Sequence, residues 1–153
     1  RDWPMIILFV DLDHFKHVND TYGHQTGDQV LQAVAKALVK GTREEDVVAR
    51  YGGEEFLVIA PGQGIDTARI IAERLVGIFQ ELRHVIGNGK EIIVTTSIGL
   101  SVLGVDHEFN SAEEMIAAAD KALYVAKESG RNRYVIYGSD MDQSIAGASS
   151  PAA

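Results

Sequence analysis

Runs and periodicities of apolar residues define the elements of this chain. Met5-Ile6-Ile7-Leu8-Phe9-Val10 is continuously apolar, the pattern of a central strand covered on both faces. It ends in Asp11-Leu12-Asp13, where an extended backbone projects the two aspartates to the same side. Residues 14–24 are dense in donors and too polar for a core helix. Gln25-Thr26-Gly27-Asp28 then opens a helix, with Val30, Leu31, Val34 and Leu38 at helical spacing and Gly41 near its end.

The runs Asp46-Val47-Val48-Ala49-Arg50 and Leu57-Val58-Ile59-Ala60 flank Tyr51-Gly52-Gly53-Glu54-Glu55-Phe56. This predicts a β-hairpin closed by a type I′ turn, for which Gly-Gly supplies two positive φ angles without steric cost. A helix follows from Asp66 or Thr67, carrying Ile70, Ile71, Leu75, Ile78 and Phe79. Gly87-Asn88-Gly89-Lys90 reads as a turn, and residues 92–102 as one long β-branched strand. Ser111-Ala112-Glu113-Glu114 is a capping box for a last helix that stops at Gly130. Tyr134-Val135-Ile136-Tyr137 is a final short strand. The order predicts an α+β fold, a mixed sheet near the βαββαβ pattern with helices packed on it. Residues 1–138 form one domain in this reading; 139–153, small and polar without periodicity, form a disordered tail.

Composition narrows the chemistry. The 153 residues are 46% hydrophobic and contain no cysteine, which excludes disulfides, thiolate metal sites and cysteine nucleophiles. A net charge of -8 argues against a nucleic-acid groove or an anionic membrane surface as partner. The run 5–10 is too short to span a bilayer and lacks the basic flank of a signal peptide. An acidic protein still binds a nucleotide when its carboxylates hold divalent cations against the phosphates.

Two acidic clusters are candidates for that work: Asp11 with Asp13 at a strand end, and Glu54 with Glu55 at a hairpin tip. A carboxylate at the end of a buried strand is costly unless hydrogen-bonded or metal-bound. Asp13 also reads as a solvated strand end. Hard oxygen ligands without histidine or cysteine select Mg²⁺ or Mn²⁺, and two such ions promote in-line displacement at phosphorus. Other positions carry ordinary readings: Asp28 as a helix N-terminal charge, Asn19 as a turn former, Lys127 as a charge at a helix C-terminus, Arg43-Glu44-Glu45-Asp46 as a surface pair.

Taken together and in order, Asp11-Leu12-Asp13, Gly23-His24-Gln25-Thr26-Gly27-Asp28, Arg43-x-x-Asp46, Gly52-Gly53-Glu54-Glu55-Phe56 and Lys127-x-x-x-Arg131 resemble the GGDEF family, the diguanylate cyclases, over residues 5–137. The resemblance implies a palm-like fold with a mixed, mainly antiparallel sheet. It implies condensation of two GTP into cyclic di-GMP, with two Mg²⁺ or Mn²⁺ per active site. Asp11, Glu54, Glu55 and the Leu12 carbonyl would bind metal, Glu54 would help deprotonate the attacking 3′-hydroxyl, and Lys16 is counted with the catalytic set. Phe15, Lys16, Lys127 and Arg131 would hold the phosphates, while Asn19 and Asp28 would read guanine. Asp28 argues for GTP over ATP, because guanine offers N1–H and N2–H₂ to a carboxylate and adenine has no donor at N1. His24 is assigned to helix entry. Arg43, Asp46 and Arg74 would form an inhibitory site for cyclic di-GMP. A homodimer, a cytoplasmic location, a longer parent protein with an upstream regulatory domain, and membrane tethering at most through that parent complete the expectation. A non-catalytic module sensing GTP or cyclic di-GMP is the alternative; it would be marked by loss of acidic residues that are intact here.

Overall fold

The structure, a computed structural model, describes residues 3–104 and 109–141. The chain runs through β1 (Met5–Leu12), α1 (Phe15–Tyr22), α2 (His24–Lys40), β2 (Val47–Arg50), β3 (Glu55–Pro61), α3 (Ile65–Glu81), β4 (His84–Val85), β5 (Glu91–Ile92), β6 (Thr96–Leu103), α4 (Ala112–Glu128) and β7 (Arg133–Ile136). Five strands form a sheet in the order β2-β3-β1-β6-β7. Its three pairings around β1 and β3 are antiparallel, and only β6–β7 is parallel. That parallel pair requires a crossover, which α4 provides.

β1 is continuously apolar because both faces are covered. Ile6, Leu8, Val10 and Leu12 pack with Val30, Val34 and Leu38 of α2 and with Ile71, Leu75 and Phe79 of α3. Ile7 and Phe9 pack on the opposite face with Leu57 and with Met115, Ala119 and Leu123 of α4. Each such side chain contributes roughly 1.5–3 kcal/mol when fully buried. α4 lies very close to β6: a Cβ added to Gly99 would overlap the backbone of Ala119 and Leu123. Ser111 caps the helix as expected, its Oγ accepting from Glu114 N at 3.1 Å, while Glu114 Oε1 reaches one residue past the cap and accepts from Asn110 N at 2.8 Å.

Several expectations are corrected. The polar stretch after β1 is a helix, α1, because Phe15 and Val18 alone, one turn apart, suffice to bury one face. The hairpin between β2 and β3 does not use a type I′ turn. Neither Gly52 nor Gly53 has positive φ, and the wider loop over residues 51–54 is closed by Tyr51 N and Gly52 N donating to Glu55 O at 2.8 and 3.3 Å. The long strand over 92–102 is broken: residues 93–95 leave the ladder, β5 pairs with β4, and Thr95 O accepts from Asp13 N at 2.9 Å. The tail expectation falls outside the described residues from 142 onward. Its first three residues do not: Asp140 pairs with Arg69 at 2.8 Å, and Met141 is buried.

Candidate active site

The acidic residues from distant parts of the chain meet where β1 and β3 run side by side. Asp11 is directly opposite Glu55 in the β1–β3 ladder, so their side chains share a face of the sheet. Leu12 N donates to Glu54 O at 3.3 Å, which holds the glutamate loop against the end of β1. Arg50 braces that loop from the other side, its Nε donating to Gly52 O at 3.1 Å and its second terminal nitrogen to Gly53 O at 2.7 Å.

Asp11 is only 2% exposed, and its Oδ1 has no hydrogen-bond donor among the described residues. Its Oδ2 is in ion-pair contact with the ammonium of Lys127, which stands in the last turn of α4. Burial pushes the Asp11 carboxyl up, and the hydrogen bond and charge of Lys127 only partly reverse this. Burial also raises Glu54 and Glu55, and the Asp11 charge adds to the rise in both. Arg131, in the loop after α4, is near enough for its charge to favour ionised Asp11.

Asp13 is almost as buried, yet fully served. Its Oδ1 accepts from Ser97 Oγ at 2.6 Å, and its Oδ2 from Thr95 Oγ1 at 2.7 Å and Asn132 N at 3.0 Å. This corrects the reading of Asp13 as a solvated strand end. The aspartate ties the loop holding Arg131 to β6, and the neighbouring Arg131 and Asn132 both adopt left-handed backbone conformations, φ 64° and 53°.

A cleft of about 540 Å³ opens beside Glu54 and Glu55, lined also by Phe15, Lys16, Asn19, His24, Asp28, Leu31, Arg50 and Gly53. Its size suits a nucleotide. Asn19 is fixed by close helix packing: a Cβ at Gly27 would overlap Asn19 Oδ1. Asp28 follows on α2 and is exposed to the cleft. Lys16 is held by Asp20 at 2.8 Å in an exposed pair that water screens, so it is easily released. Asp11, Lys127 and Arg131 are not among the lining residues; they form a charged group at the end of β1 that adjoins the cleft through Glu54 and Glu55.

Of the third predicted group, Arg43 and Asp46 are in direct contact, and Arg74 is bound elsewhere. Arg43 grips Asp46 through Nε at 3.3 Å and a terminal nitrogen at 2.9 Å, and reaches Glu45 at 3.1 Å and Pro61 O at 2.9 Å. Arg74 donates to Gly41 O at 3.1 Å, just before this connection. Sequence reasoning missed Arg50 and the work of Asp13. Both act through contacts to carbonyls, hydroxyls and an amide that no local pattern encodes.

The donors present fit a divalent cation. Asp11 offers a buried oxygen lacking any donor, a lysine ammonium already stands in as counter-cation, and every acidic group is a hard oxygen ligand. Among the described residues no three carboxylate or imidazole side chains converge into a ready-made cage.

An α+β domain whose central strands end in carboxylates beside a nucleotide-sized cleft defines the class. The chain belongs to the GGDEF domain family: residues 1–133 match the family model described as diguanylate cyclase, GGDEF domain. Diguanylate cyclase A of Treponema denticola is 46% identical over 130 residues, covering 85% of this chain and 34% of that protein. The chain thus spans about a third of that relative's length. Among solved structures, the GGDEF domain of DgcB from Caulobacter crescentus, in complex with c-di-GMP, matches with a TM-score of 0.83 at 32% identity, covering 90% of this chain and 80% of that one. The active GGEEF domain of a diguanylate cyclase from Vibrio cholerae matches at 0.77 and 32% identity, covering 88% and 83%.

Proposed function

We propose that this domain condenses two GTP molecules into 3′–5′ cyclic di-GMP, releasing two pyrophosphates. The observation that carries the reading is the buried Asp11 carboxylate, opposite Glu55, with one oxygen lacking a donor and the other answered only by a lysine. Such a group is costly as a structural element and useful as a ligand. Asp11, Glu54, Glu55 and the Leu12 carbonyl would hold two Mg²⁺ or Mn²⁺. The ions would supply Lewis-acid stabilisation of the attacking and leaving oxygens. Glu54, in the cleft beside the nucleotide position, is assigned the role of helping to deprotonate the 3′-hydroxyl.

Phe15 at the start of α1 and Lys16 beside it would hold the triphosphate, with Lys127 and Arg131 as the second clamp. Asn19 and Asp28 share the cleft with the glutamates and would read the guanine edge. Adenine would leave the Asp28 carboxylate without its donors, and discrimination by unpaired polar groups reaches about 10⁴ or more. One GTP per domain requires two copies face to face, so a homodimer is part of the mechanism. GTP handling and a product of the kind bound in the Caulobacter structure both fit a cytoplasmic domain. No helix among the described residues is long and apolar enough to cross a membrane.

Incubation with GTP and Mg²⁺ at high protein concentration, followed by mass identification of the nucleotide, is the test. Cyclic di-GMP is expected from GTP and none of its adenine counterpart from ATP. Absence of cyclic di-GMP, or comparable turnover of ATP, would overturn the reading.

Feedback inhibition by cyclic di-GMP is proposed at Arg43, Asp46 and Arg74. The Arg43 fork suits phosphate and guanine edges. It is engaged with Asp46, Glu45 and Pro61 O, so the product must compete for it. Arg43→Ala should relieve product inhibition measured by progress curves; unchanged inhibition would remove the site from the account.

A further inference from the structure

We propose that Lys127 is the resident counter-cation of Asp11 in the metal-free domain and yields that position only when a triphosphate receives its ammonium, making metal and nucleotide bind cooperatively. The inference rests on the reading that this site takes metal and GTP, and it gives Lys127 a task distinct from contacting phosphate.

The geometry supports an exchange. The Asp11 side chain is 2% exposed and that of Lys127 32%, so the carboxylate is fixed while the ammonium has a path outward. Lys127 is a compact charge on a flexible four-carbon stem. Its backbone, by contrast, is anchored: Arg131 N donates to Ala126 O at 2.9 Å, and the loop beyond is tied to Asp13 through Asn132 N. The side chain can therefore move without the helix.

An ammonium and a divalent ion on one buried carboxylate repel strongly, since charges are poorly screened away from water. With Lys127 on Oδ2 only Oδ1 is open, so the lysine must leave before both oxygens of Asp11 can serve as ligands. In the absence of nucleotide its release would remove the favourable pair and gain only solvation. A triphosphate changes the balance by supplying oxygens for the departing ammonium. Lys127 thereby suppresses binding of metal alone and rewards binding of both.

The test is Mn²⁺ binding without nucleotide, followed by the electron paramagnetic resonance signal of free Mn²⁺, for the parent and for Lys127→Met and Lys127→Gln. Both variants should bind Mn²⁺ alone more tightly, on the order of tenfold, a typical coupling between two sites. In the parent, a GTP analogue with an α,β-methylene bridge should strengthen Mn²⁺ binding; in the variants this gain should shrink. Equal or weaker Mn²⁺ binding in both variants, with unchanged circular dichroism, overturns the proposal. A merely structural lysine predicts weaker binding, because its loss would loosen the site. Should neither variant fold, the ¹⁵Nζ resonance of Lys127 in the parent decides: it should move when Mg²⁺ and the analogue are added together, and no shift overturns the exchange. If tighter Mn²⁺ binding is found while GTP yields no cyclic di-GMP, the cyclase reading falls and the counter-cation stands. The reverse pattern removes the counter-cation alone.

Discussion

Asp11 and Asp13 are two residues apart, and both are nearly buried, 2% and 6% exposed, yet their surroundings are opposites. Three donors close around Asp13, drawn from β6, the segment before it and the loop after α4. Asp11 has one oxygen against Lys127 and another against nothing that donates. A buried carboxylate saturated by neutral donors is a fastener. One left short of donors among other acids is the better fitted to take a cation. Burial alone does not distinguish the two carboxylates; their donor counts do.

The comparison is broken most sharply by exchanging roles. Asp11→Asn should reduce cyclic di-GMP formation by roughly 10²–10³ or more, the scale seen when one preorganised electrostatic group is removed, while the domain stays folded. Asp13→Ala should instead destabilise, by about 3 kcal/mol, since buried donors lose a charged acceptor; urea denaturation measures it. Asp13→Asn keeps an acceptor for Thr95 and Asn132 and should recover most of that loss. Equal stability losses at the two positions would erase the distinction.

A smaller effect sharpens it. The Asp11 carboxyl sits above its ordinary 3.8 because burial disfavours the charged form. In the metal-free domain this cost is absent in acid, grows as pH climbs from the ordinary value to the elevated one, and is constant above it. Asp11→Asn removes the titration, so the variant should gain on its parent from about pH 4 toward neutrality. Thermal melts of both proteins across that range test the sign. A gain that grew toward acid would mean that Asp11 is stabilised as the anion.

The sequence made the strongly patterned parts legible. The apolar run of β1, the periodic faces of α2, α3 and α4, and the Ser111 capping box all appear where expected. The motif spacing also brought Asp11, Glu54 and Glu55 to one end of the sheet and Asn19 and Asp28 to one cleft. What escaped was set by distant partners. α1 owes its place to Phe15 and Val18 packing on elements that follow it. The break before β6 reflects Thr95 turning to Asp13, 82 residues away. The Gly52-Gly53 dipeptide signalled a tight turn, but the loop is wider, with Arg50 fastened to both glycine carbonyls. No local periodicity carries such information.

The seam between Gly99 and α4 reaches further than its chemistry suggests. From Ala119 to Lys127 the helix extends about 12 Å, so it acts as a lever whose fulcrum is the missing side chain at residue 99. Bulk introduced there would press on the helix backbone at Ala119 and Leu123 and should displace the far tip, with the ammonium that faces Asp11. A position without charge or polarity thereby bears on how the cationic end of the helix stands over the acidic one.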